Sequence, residues 1–136
     1  MLHRPLLLVA EDDPDDQVLI QDMLAIACPQ EFEALFVWDG VELIDYLRKQ
    51  EESQTRMPAL VLLDLNMPRK DGRAALREMK SDPALADIPV VVLTTSNSPT
   101  DIEYCEQYGV ARYCRKPSSI TELREILGGL CTDYLN

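Results

Sequence analysis

The chain has 136 residues, a formal net charge of −11 and a sequence pI near 4.4. That length suffices for one domain with a core that needs no staples, so a single domain over 1–136 is expected, with 131–136 as a C-terminal tail and no output domain. The acidity argues against nucleic acid or an anionic membrane face as a direct partner and favours a cation or a basic protein surface.

Cys28, Cys105, Cys114 and Cys131 form no C-x-x-C pair, and the single histidine is His3, near the start. A zinc site and a disulfide framework are therefore not expected, and each cysteine reads as a small apolar filler in a reducing cytosol. The apolar run Leu6–Ala10 is too short for a signal h-region, and no stretch is long enough to span a bilayer. A soluble, cytoplasmic protein is the expectation.

In chain order, Pro5–Ala10 has strand length and ends in Glu11-Asp-Asp-Pro-Asp-Asp16. Asp13 is a good N-cap with Pro14 at the first helical position, and Asp15 and Asp16 suit the positive end of the helix dipole. That helix is predicted to reach Ala27, with Val18, Leu19, Met23, Leu24 and Ala27 as its apolar stripe. Phe32, Ala34, Phe36 and Trp38 alternate as in a strand. Asp39-Gly-Val-Glu42 has capping-box spacing and opens a helix through Leu47, followed by a polar loop over 50–56.

Ala59–Leu63 is continuously apolar, as a strand buried on both faces must be, and it ends in Asp64. After the turn Met67–Gly72, a helix is predicted over Arg73–Lys80. Pro89–Thr95 is a second doubly buried strand, and a helix opens at Ser98-Pro99 and closes at Gly109. Arg112–Arg115 is a short strand, and Ser119-Ile-Thr-Glu122 caps a last helix carrying Leu123, Ile126, Leu127 and Leu130.

Five strand–helix units in succession imply a parallel sheet with helices on both faces, a three-layer α/β sandwich. They fit the flavodoxin-like (βα)5 order 2-1-3-4-5, in which strands 1 and 3 are neighbours at the edge where ligands bind. That order brings Glu11 and Asp12 beside Asp64, with Thr94 and Lys116 on the same edge. Carboxylates so close repel unless a cation lies among them, and hard oxygens at a half-open site suit Mg²⁺. An EF-hand is excluded because its glycine and distant bidentate Glu are missing. Lys116 supplies an anion-holding ammonium and Thr94 a hydroxyl, the equipment for phosphoryl transfer to a nucleophilic Asp64.

Glu11-Asp12, Asp64-Leu-Asn-Met-Pro68, Asp71-Gly72, Thr94 and Lys116-Pro117, in this order at successive strand ends, resemble the receiver domain of two-component response regulators. The resemblance covers roughly Leu6 to Leu130. It implies Asp64 as phosphoacceptor, Asp12 as a direct Mg²⁺ ligand, Glu11 as a ligand through water and Asn66 as a ligand through its carbonyl. It further implies that Thr94 and Lys116 bind phosphoryl oxygens, and that Tyr113 is the aromatic switch residue. Asp12–Asp16, Asn66–Gly72 and Val90–Ser96 look most like the stand-alone receivers that partner phytochrome-type histidine kinases. Members of that group often pair through the face from strand 4 to helix 5, so a homodimer is a further expectation. Thr95 departs from the smaller residue of many receivers and would restrict access to the phosphate.

No G-x-x-x-x-G-K loop or plausible donor histidine is present, so the phosphoryl group would come from a partner kinase and the output would lie in another protein. The alternative is a Mg²⁺-dependent phosphohydrolase with an aspartate nucleophile. Such enzymes usually carry a second carboxylate two residues after the nucleophile, where this chain has Asn66, and need a cap to hold substrate. A flavodoxin-like binding module without phosphorylation is the third reading, against which the complete set of acids, Thr94 and Lys116 argues.

Overall fold

A computed structural model describes residues 4–136, and His3 lies outside them. The elements alternate throughout: β1 (Leu6–Ala10), α1 (Pro14–Ala27), β2 (Glu33–Val37), α2 (Gly40–Glu52), β3 (Leu60–Leu63), α3 (Gly72–Ser81), β4 (Val90–Thr94), α4 (Pro99–Gln107), β5 (Arg112–Arg115) and α5 (Ile120–Tyr134). All pairings are parallel, in the order β2-β1-β3-β4-β5. The expected flavodoxin-like architecture is therefore the observed one.

The apolar runs are continuous because β1, β3 and β4 are covered on both sides. Leu8, Ala10, Val61, Leu63, Val90 and Val92 face the layer that holds α2, α3 and α4. Their alternates Leu7, Val9, Leu60, Leu62, Val91 and Leu93 face α1 and α5. Each buried branched side chain contributes about 1.5–3 kcal/mol, so two such cores fix the strand ends firmly. Among the described residues no helix is long and apolar enough to cross a membrane.

Several helix termini follow local chemistry. Asp13 accepts from the N–H groups of Asp15 and Asp16, Asp39 from that of Glu42, and Ser119 from that of Glu122. Ser98 makes no side-chain cap, so α4 starts on Pro99 alone. The α2 helix runs past the expected stop to Glu52, because Lys49-Gln-Glu-Glu52 are all good helix formers and no breaker intervenes.

Other expectations need correction. Met23 and Leu24 of the expected α1 stripe are buried and Leu19 packs on the core, but Val18 is 58% exposed and Ile20 takes its place. Trp38 is 48% exposed because it lies beyond β2, the edge strand, and Val37 takes the buried place. The segment expected as a tail from 131 is the end of α5, with Cys131 and Leu135 buried in the α1–α5 core. Two of the four cysteines are not independent fillers: Cys28 at the end of α1 is disulfide-bonded to Cys131, Cα–Cα 5.7 Å, across 103 residues of sequence. Only the packing of α1 against α5 brings them together. Cys105 is a buried filler as expected, and Cys114 is half-buried.

Candidate functional site

The carboxyl ends of β1 and β3 lie side by side, with Ala10 paired to Leu63, so the residues that follow them share one edge. Glu11 and Asp64 are buried there, and Asp12 is half-buried. One carboxylate oxygen from each of Glu11, Asp12 and Asp64 lies within 4.8 Å of the others. Such hard oxygen donors fit a divalent cation, which would remove their mutual repulsion. Burial pushes the Glu11 carboxyl up to about 7, against the Lys116 ammonium and the Asp13 N–H that pull it down.

Lys116 follows β5 and is held by its own N–H, which donates to the Thr94 carbonyl at 2.7 Å. Its ammonium donates to Glu11 Oε1 at 2.5 Å, Asp16 Oδ2 at 2.7 Å and Asp64 Oδ2 at 3.3 Å. Burial alone would lower its pKa. Hydrogen bonds to Asp16 and Glu11 and the charges of Asp64 and Glu11 outweigh that effect and hold the group protonated.

The remaining predicted residues surround this cluster at different distances from its chemistry. Thr94 is fully buried at the end of β4, and its hydroxyl accepts from the Ser96 N–H at 3.4 Å. Asn66 is exposed on the loop after β3, where its N–H donates to Asp64 Oδ1 at 3.2 Å. Tyr113 is half-buried and points into the β4–α4 loop, its hydroxyl donating to the Ser96 carbonyl at 2.8 Å.

The loop that carries Asp64 and Asn66 is fixed at both ends by groups that local patterns did not reveal. Arg69, at φ 62°, donates to both oxygens of Asp39, so the cap of α2 also holds this loop. Arg73 donates to Asp101 at 2.6 and 2.7 Å and to the Leu65 carbonyl at 3.4 Å. The Ser96 hydroxyl donates to Asp101 at 2.6 Å, which joins α3, α4 and the Tyr113 contact into one network. Asp16, which sequence reasoning treated only as a helix-dipole residue, is the third partner of Lys116. These pairs span up to 100 residues, and their signal in the sequence is no more than isolated charges near element ends.

Asp101 makes one consequence measurable. Arg73, and after it the Ser96 hydroxyl, hold its carboxyl down from 3.8 to about 2. The charged form therefore stabilises the folded state, fully above about pH 4, and that stability is lost as pH falls through about 2; it is on the order of 2 kcal/mol. Urea unfolding of the parent and Asp101→Asn should differ by about 2 kcal/mol at pH 7, and the gap should shrink as pH approaches 2. A gap that stays constant with pH would remove the ion pair as its cause.

A sheet of order 2-1-3-4-5 with an acidic trio, a threonine and a lysine at one edge defines a class, the receivers, and residues 7–128 match the family model "Response regulator receiver domain". The chain belongs to this family. It is 36% identical over 130 residues to the response regulator Rcp1 of Synechocystis sp., covering 95% of this chain and 88% of that protein. Among solved structures, the phosphorylated cyanobacterial phytochrome response regulator RcpA superposes with TM-score 0.88 at 40% identity, covering 98% of this chain and 96% of that one. The Mn²⁺-bound form of Rcp1 gives TM-score 0.86 at 34% identity, covering 97% and 95%.

Proposed function

We propose that this receiver works as a stand-alone switch in which Asp64 accepts a phosphoryl group from a sensor histidine kinase. The observation that carries the reading is the Lys116 ammonium, 3.3 Å from Asp64 and bound to the same acidic cluster that suits a divalent cation. In the reaction a carboxylate oxygen of Asp64 attacks phosphorus, the bond to the kinase imidazole breaks, and an acyl phosphate forms while the imidazole leaves. Lys116 and the Thr94 hydroxyl then hold phosphoryl oxygens. Asp12, Asp64, the Asn66 carbonyl and, through water, Glu11 would hold Mg²⁺, which supplies charge neutralisation for the transferring oxygens.

Likeness to RcpA and Rcp1 supports a phytochrome-type kinase as the donor. The reading carries a cytoplasmic location and an output in a partner protein, with no nucleic acid bound. The signal leaves through β4 and β5: Thr94 follows the phosphoryl group, and Tyr113 couples that movement through Ser96 to the surface of α4. Self-association through the face from β4 to α5 belongs to the same reading, and an unchanged monomer mass with beryllofluoride would remove it. A phosphohydrolase gains nothing from the site, since the position of its second carboxylate is Asn66, exposed and 3.5 Å from Arg73.

Acetyl phosphate with Mg²⁺ tests the reading directly. Intact mass should rise by one phosphoryl group, and hydroxylamine should remove it from the peptide that contains Asp64. Steady hydrolysis of unrelated phosphomonoesters without a protein adduct would favour the hydrolase instead.

A further inference from the structure

The Lys116 ammonium has three N–H groups and three carboxylate partners, but the partners are not equivalent. Glu11 and Asp64 belong to the acidic trio, so a cation bound there draws on both. Asp16 stands outside the trio, in the first turn of α1, with its side chain 35% exposed at the mouth of the site. Its Oδ2 lies 2.7 Å from the ammonium, closer than the 3.3 Å to Asp64. The other two carboxylates therefore have a competing claim on them, and Asp16 has none. A small cavity bounded by Asp16, Leu19, Lys116 and Pro117 lies on the α1 side of the lysine, so the Asp16 contact is not locked in by close packing there.

We propose that Asp16 is a positioning residue that competes with a phosphoryl group on Asp64 for the Lys116 ammonium. The inference rests on the phosphoacceptor reading above and deepens it. While Asp64 is unmodified, Asp16 holds the ammonium on the α1 side of the site. When a phosphoryl group forms, Lys116 must exchange this contact for the new oxygens, so every bond kept to Asp16 weakens the grip on the phosphoryl group. In this arrangement a residue of α1 sets how tightly the activated state is held.

The test pairs two measurements on Asp16→Asn, with Asp16→Glu as the conservative variant. The first is Mg²⁺-dependent binding of beryllofluoride by calorimetry, which should be about fivefold tighter in Asp16→Asn, the fold-change of a ~1 kcal/mol partly exposed ion pair, and near the parent in Asp16→Glu. The same substitution in a Lys116→Ala background should leave affinity unchanged, because the competition acts only through the ammonium; a purely structural role of Asp16 would shift both backgrounds alike. The second is acylation of Lys116 by an amine-reactive ester, followed by peptide mass, which needs no phosphorylation and should be faster in Asp16→Asn. Unchanged beryllofluoride affinity, or an equal change in the Lys116→Ala background, overturns the competition. Faster acylation in a protein that takes up neither beryllofluoride nor a phosphoryl group would sink the phosphoacceptor reading, and this proposal with it.

Discussion

Asp64→Asn is expected to lose phosphoryl uptake from acetyl phosphate by roughly a thousandfold or more while folding at least as stably as the parent. The amide has no charge to attack phosphorus, and the other carboxylates lack the position: Glu11 is turned onto Lys116, and Asp12 stands at the outer side of the trio. Stability should not fall, because the substitution removes one of three mutually repelling carboxylates from a site where Asp64 is buried. Lys116 loses its longest contact and keeps Glu11 and Asp16. Divalent-cation affinity should drop together with uptake, since the same oxygens serve both. Intact mass, a Mg²⁺ titration and a urea midpoint on one preparation check the three statements. Uptake at the parental rate would place the acceptor on another residue.

Gly72→Ala is expected to cost about 3 kcal/mol, roughly 10 °C in Tm, and to impair phosphorylation as well. The reason is close approach and not backbone conformation. A Cβ on Gly72 would overlap the Asp64 carbonyl oxygen and lie 2.7 Å from Leu65 Cα, both backbone atoms that cannot rotate away. The Gly72 N–H also donates to the Leu65 carbonyl at 2.8 Å, so the start of α3 and the end of β3 are held in direct contact. Making room moves Asp64 itself. Gly40 plays the matching part at α2, its N–H donating to the Lys70 carbonyl at 2.8 Å. Gly109 is the contrasting control: it sits at φ 72° with open space around it, so Gly109→Ala should cost only about 1 kcal/mol of strain and leave phosphorylation intact. Thermal melts and acetyl phosphate uptake for the two glycine variants separate these mechanisms. Equal losses of stability and uptake in both would sink the close-approach account.

The doubly buried strands were legible because a strand covered on both faces has no position for a polar residue, and the change from Leu63 to Asp64 marks where cover ends. Helix starts were legible from caps at Asp13, Asp39 and Ser119, whose chemistry is complete within three residues. At the start of the α1 stripe Val18, Leu19 and Ile20 are all apolar, so local pattern does not choose between Val18 and Ile20; contact with α5 selects Ile20. Trp38 is exposed for a related reason. Period two says which residues share a face, not whether the sheet continues far enough to cover them. Neither the Cys28–Cys131 bond nor the burial of Leu135 could be read locally, since both depend on α5 lying along α1.

For the site, chemical types and the strand ends that carry them are readable along the chain: Glu11 and Asp12 after β1, Asp64 after β3, Thr94 at the end of β4, Lys116 after β5. Five β–α units fit the doubly wound order 2-1-3-4-5, which places strands 1 and 3 side by side, and so the acidic trio is anticipated. The tertiary structure decided the partners. Arg73 meets Asp101, Arg69 meets Asp39, and Lys116 meets Asp16 only when distant helices dock, because an ion pair is chosen by where side chains converge in space and isolated charges along a chain carry no record of that.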